Sequence, residues 1–183
     1  MAPVRDIAEY LLQLSSREPE PTLITQMHLH KLLYYVQAWS LAMRGEPMFP
    51  AVIEAWTHGP VVRAVYPMFA VHGNDSIPIP DRQIELSAED RSFVESVWEG
   101  YKGYSASKLR EMTHRERPWR LARGDLGPDE PSDAEVSQQD MLEFFRSQYE
   151  EHAIPGLEPE ALAAAEAEFS TGGGVPLEQL FAK

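Results

Sequence analysis

The chain has 183 residues, 43% hydrophobic and 10% aromatic, enough for one packed domain with an appendage. It has no cysteine, which excludes disulfides, thiol chemistry and thiolate metal sites. The net charge of −13 is unevenly spread: residues 1–123 hold 15 acids and 14 bases, whereas residues 124–183 hold 14 acids and 2 bases.

Val4 to Leu14 reads as a first helix, with Ile7, Leu11 and Leu14 on one face. Two prolines in SSREPEP then break the pattern. Thr25 to Arg44 is the strongest helical signal, with Thr25 as its cap and Gly45 just past its end. Leu29, Leu32, Leu33, Val36 and Met43 form one apolar stripe, and Tyr34, Ala38, Leu41 and Ala42 a second. A helix apolar on most sides is central, with neighbours on both flanks. A narrower line of His28, Lys31, Tyr35 and Trp39 mixes cations with aromatics and reads as a possible contact surface.

Val52 to Trp56 has the composition of a short strand. Gly59 followed by Pro60 reads as a helix start, with Val61, Val62, Val65 and Phe69 as its buried face and a kink or stop near Tyr66, before Pro67. Residues 73–86 read as a loop with one short returning strand. Ser87 to Tyr101 and Ser105 to about Thr113 read as serine-capped helices. Pro118 opens a short helix, Trp119 to Arg123, GDLGPDEPSD is a loop, and Ser137 caps QQDMLEFFRSQY. The expected fold is mainly α: a compact multi-helix domain around a central buried helix, with a small β-hairpin-like element. Its expected extent is 1–152. Residues 153–183 read as an acidic extension containing a TGGG linker and a short terminal peptide.

Chemical motifs are scarce. His28 and His30 lie roughly 200° apart on a helix, so they cannot share an ion there. There is no HExxH, GxSxG, Walker A loop or GxGxxG. Lys31, Glu54, His114 and Glu116 could do acid–base work only if folding assembled them. Lys102 to Arg123 holds seven bases and two acids, a candidate basic patch set against an acidic tail. Within it, THRERPWRLAR reads as a corner: Thr113 and His114 close one helix, Pro118 starts the next, and Trp119 anchors it. No apolar run is long enough for a membrane span and the N-terminus is unlike a signal peptide, so the expected location is the cytoplasm.

Three blocks, LHKLLYYVQAWSLAMRGEPMF, IEAWTHGPVVRAVYPMF and VWEGYKGYSASKLREMTHRERPW, resemble the Panacea domain, the antitoxin domain of SocA-like and phage-associated GepA-like proteins. The resemblance covers about Ile24 to Phe145. Its signature positions fall on Lys31 to Tyr34, on Trp56 and Gly59 to Val61, and on Thr113, His114, Pro118 and Trp119. Gln26, Met27 and His28 stand where the family often has a longer aliphatic lead-in. The resemblance implies a non-enzymatic antitoxin that needs no cofactor, binds a cognate protein toxin and neutralises it. It also implies delivery of the toxin to the ClpXP protease as a further role.

The residues leave two alternatives open, a small acid–base enzyme around His114 and Glu116 and a regulator that binds nucleic acid. The candidate partner-contact residues are Lys31, Tyr35, Trp39, Trp56, His58, Gly59, Pro60, His114, Glu116 and Trp119. The terminal peptide, with Val175, Pro176, Leu177, Leu180, Phe181 and Lys183, is a candidate protease-docking segment on the ClpX unfoldase. A fold-back onto the basic patch is its alternative.

Overall fold

The computed structural model describes residues 1–20 and 22–152. The acidic extension and the terminal peptide Val175 to Lys183 lie outside the described residues.

The molecule is mainly α-helical, with one small antiparallel hairpin. Helix α1 spans Val4–Arg17, and Ile7, Tyr10, Leu11, Leu12 and Leu14 face the core. It runs beyond the expected end at Leu14. Helix α2 spans Gln26–Arg44 between the two predicted signals: Thr25 Oγ1 accepts from His28 N–H at 3.4 Å, and Gly45 closes the end with φ of 71°. Thr25 thus starts the helix without the aliphatic lead-in, while the buried Gln26 donates to the Tyr66 carbonyl at 3.0 Å. Every residue from His28 to Ala42 is buried, as a helix flanked on all sides requires. The line of His28, Lys31, Tyr35 and Trp39 is buried with the rest, between 0 and 3% exposed, so it faces the interior rather than forming a surface.

Strand β1, Ile53–Trp56, pairs with β2, Gly59–Val62, across a two-residue turn at Thr57 and His58. The expected helix start at Gly59–Pro60 is therefore a strand. Pro60 fits because its partner Ala55 turns its N–H the other way, to the Ala134 carbonyl at 2.8 Å. Val136 N–H reaches the Ile53 carbonyl at 2.7 Å on the same edge. The end of the acidic loop thus lies against β1.

Helix α3, Tyr66–Phe69, begins where the expected helix would have ended, with Pro67 in its first turn, and passes into a 3-10 turn, Ala70–His72. The returning strand expected in residues 73–86 is only an isolated bridge, Thr25 with Ser76. Helices α4 (Ala88–Tyr101), α5 (Ala106–Arg115), α6 (Arg117–Arg123) and α7 (Gln138–His152) follow. Ser87, Ser105 and Ser137 each accept a backbone N–H three residues on, at 3.0, 3.2 and 3.2 Å.

Helices α1, α4, α5, α7 and strand β2 surround α2. Tyr35 stacks on Tyr101 with centroids 4.0 Å apart, Trp39 Nε1 donates to the Tyr101 hydroxyl at 2.9 Å, and Phe145 packs edge-on to Trp39. Among the described residues no helix is long and apolar enough to cross a membrane.

Candidate functional site

Three separate segments, α2 among them, meet at one cluster. Lys31 projects from α2 toward the hairpin, and its ammonium donates to the Pro60 carbonyl at 3.1 Å. Gly59, at φ of 94°, has no room for a side chain: an added Cβ would lie 2.6 Å from Lys31 Cε and 2.9 Å from Thr113 Oγ1. Here glycine supplies both the backbone conformation and the close approach.

The third segment is the α5–α6 corner. Glu116 is the single residue between the two helices, with extended backbone, and Pro118 sits in the first turn of α6. Thr113 Oγ1 donates back to the Arg110 carbonyl at 2.9 Å. Trp119 is 7% exposed, and its Nε1 donates to the Trp56 carbonyl at 3.1 Å, tying the corner to the hairpin. The His114 ring stacks on Trp119 at 4.1 Å and 10°. The Arg123 guanidinium lies over the same indole, 5.1 Å from its centroid, and donates to the carbonyls of Ala55, Gly127 and Glu130.

Glu116 belongs to the other side of the cluster. Its Oε1 accepts from the Tyr35 hydroxyl at 2.8 Å. The Tyr34 hydroxyl also approaches the Glu116 carboxyl. Among the described residues Arg110 Nε and His114 Nε2 are buried without a hydrogen-bond partner, which is unusual for a folded interior.

Burial controls the electrostatics. Desolvation, helped by the Arg110 charge, pushes the Lys31 ammonium down to about 7. Desolvation lifts the Glu116 carboxyl to about 7, against the hydroxyls of Tyr35 and Tyr34. Burial and then the charges of Arg110, Lys31, Arg123 and His58 press His114 down to about 4. The Tyr34, Tyr35 and Tyr101 hydroxyls are raised well above their ordinary value, first by burial and then by Glu116.

Of the predicted residues, the cluster gathers Lys31, Tyr35, Gly59, Pro60, His114, Glu116 and Trp119. Trp39 lies deeper, against Tyr101 and Phe145. Glu54, one member of the conceivable acid–base set, is engaged on the hairpin by Trp56 Nε1 at 2.6 Å and by Arg63 at 3.8 Å. Trp56 is half-buried against Tyr66, and His58 is exposed at the turn. Trp56, Thr57, His58 and Val61 line a surface groove of about 600 Å³ together with Pro131, Ser132 and Asp133.

Most of the candidate basic patch is paired with acids, Arg120 standing exposed beside it. Lys102 pairs with Glu18 and Glu99, Lys108 and Arg115 with Glu111, and Arg117 with Asp140 and Glu143. Arg123 is buried among carbonyls. Arg110 escaped the sequence reading as a site residue. Its spacing of four from His114 puts both on one face of α5, and that was the available signal. Among the described residues, no group of three or more histidine and acidic side chains could hold a metal ion.

Fold and site together define a helical domain whose central helix, hairpin and helix corner are joined through one buried polar cluster. The chain belongs to the SocA-like antitoxin family: the family model described as "Antitoxin SocA-like, Panacea domain" matches residues 29–120, from α2 into α6. That span contains Lys31, Tyr35, Gly59, Pro60, Arg110, His114, Glu116 and Trp119, and the family's role lies in toxin–antitoxin systems. No curated protein and no solved structure matches the chain.

Proposed function

We propose that this chain is a cytosolic antitoxin that binds a cognate protein toxin directly and neutralises it, without catalytic activity of its own. The observation that carries the reading is the convergence of all three family blocks on one cluster. That cluster reaches the surface at the hairpin turn, where Trp56, Thr57 and His58 border the groove. A half-buried tryptophan beside an exposed histidine and a groove suits protein recognition, because aromatic anchors carry a large share of interface energy.

Co-expression tests this. The product of the adjacent reading frame should arrest growth alone, and this chain should relieve the arrest and co-purify with it. Arrest that persists despite abundant folded chain would count against the proposal.

An adaptor role is a second part of the reading. The composition changes abruptly after Pro155 into an acidic stretch, a TGGG linker and a terminal apolar peptide. That is the layout of a tether, which raises the local concentration of whatever it carries. Deleting residues 175–183 should leave toxin binding intact and abolish ClpXP-dependent toxin degradation. Degradation at the same rate removes the adaptor role and leaves the antitoxin role standing.

A further inference from the structure

Three cations gather near His114: Lys31 meets Thr113 at the bare backbone of Gly59, Arg110 stands one helical turn before His114 on α5, and Arg123 lies over the indole on which His114 stacks. Arg123 is accounted for, since its guanidinium serves three backbone carbonyls. Lys31 and Arg110 are not. Lys31 is 1% exposed, yet among the described residues its three-donor ammonium makes a single hydrogen bond, to Pro60. Arg110 Nε is buried without a partner, and so is His114 Nε2 one helical turn further on. Neither Lys31 nor Arg110 has a carboxylate oxygen within ion-pair distance among the described residues, whereas Lys102, Lys108, Arg115 and Arg117 of the same region all do. The neighbouring carboxyl of Glu116 bonds instead to Tyr35, on the aromatic side of the cluster.

We infer that Lys31, Arg110 and His114 form a receiving site for one carboxylate, supplied by an acidic side chain of the protein partner. A carboxylate has two oxygens and about four acceptor positions. The site offers the remaining Lys31 donors, the Arg110 Nε–H and a His114 Nε2–H. Arg110 and His114 are half-buried, the side of the site nearest the surface, and Trp119 holds the imidazole flat by stacking. The bare backbone of Gly59 is what lets Lys31 reach the hairpin and stand there. Buried cations without a counter-ion cost folding free energy, and an incoming carboxylate relieves that cost only in the complex. The site therefore favours a partner that presents an acid at this position over one that does not.

The inference rests on the antitoxin reading for the source of the carboxylate, but its test needs no toxin. The full chain, labelled for histidine side-chain NMR, is titrated with sodium acetate and, separately, with sodium chloride at matched ionic strength. The His114 ring resonances should shift saturably with acetate and not with chloride. Arg110→Gln, at a half-buried position with no ion pair among the described residues to lose, should weaken acetate binding about tenfold or more. Lys31→Met should abolish it, and if that variant fails to fold, Arg110→Gln decides alone.

No saturable shift beyond chloride, or an undiminished shift in Arg110→Gln, overturns the site. Saturation by inorganic phosphate without any response to acetate overturns the carboxylate assignment. Saturable acetate binding together with failed toxin rescue would keep the site and remove the antitoxin reading. Rescue without acetate binding would do the reverse.

Discussion

Gly59 and Lys31 share one space: a Cβ atom on Gly59 would lie 2.6 Å from Lys31 Cε and 3.2 Å from its ammonium nitrogen. The hairpin can close over the lysine only because that atom is missing. Gly59→Ala adds the clash to an unfavourable φ of 94°. It should cost about 2–4 kcal/mol of stability by urea denaturation. An unchanged midpoint would show that the hairpin does not pack on Lys31 as described.

The Lys31 ammonium sits at about 7 in the folded protein, below its ordinary 10.5. Between those values the unfolded chain binds more protons, so the lysine's contribution to stability rises with pH, and its full penalty applies below about 7. Lys31→Met should remove this rise and gain up to about 3 kcal/mol near neutral pH, less the lost bond to Pro60. The measurement is the difference in unfolding free energy between wild type and variant at pH 7 and pH 9.5. A difference independent of pH would mean that Lys31 is not desolvated.

Glu116 has the opposite sign. Its folded value of about 7 exceeds the ordinary 4.5, so the folded chain binds the extra proton in that window. Its contribution to stability therefore falls as pH rises from 4.5 to 7. His28, His30 and His114, pressed down to about 4, 3 and 4, act against it, because stability gained from a depressed histidine grows as pH rises toward 6.5. Comparing Glu116→Gln with wild type cancels the histidines. The variant's relative stability should grow by roughly 2–3 kcal/mol between pH 4.5 and 7. A constant difference would contradict an enclosed carboxyl.

Binding and stability should separate at the hairpin. His58 is exposed at the turn, so His58→Ala should change stability by less than about 0.5 kcal/mol while weakening the toxin complex. Trp119, 7% exposed and stacked on His114, should cost about 3–5 kcal/mol as Trp119→Ala. Denaturation and pull-down of the two variants would show this contrast. Full-affinity binding by His58→Ala would move the interface away from the turn.

Much of the frame was legible because local chemistry marks it. Thr25, Gly45, Ser87, Ser105 and Ser137 cap or close helices where their side chains or backbone allow, and Pro118 opens α6. The reading failed at Gly59–Pro60, where four residues are too few for a period to separate strand from helix. There the partner strand and the close approach of Lys31 decided the outcome. The contact of residues 134–136 with β1 comes from an acidic, proline-containing loop with no strand signature. The Lys31–Tyr35–Trp39 line was seen, but its direction was not, since a lysine on an apolar helix usually points to water. The spacing of Arg110 from His114 puts both on one face of α5, but that its guanidinium nitrogen is buried and unpaired is defined only by the fold around it.

Toxin neutralisation is read out by co-expressing the full chain with the product of the adjacent reading frame, in wild-type and His58→Ala forms, and isolating whatever binds. The wild type should relieve growth arrest and form a stable stoichiometric complex, and the variant should do both less well. Unrelieved arrest and no complex, with the wild-type chain folded and abundant, would contradict the antitoxin reading.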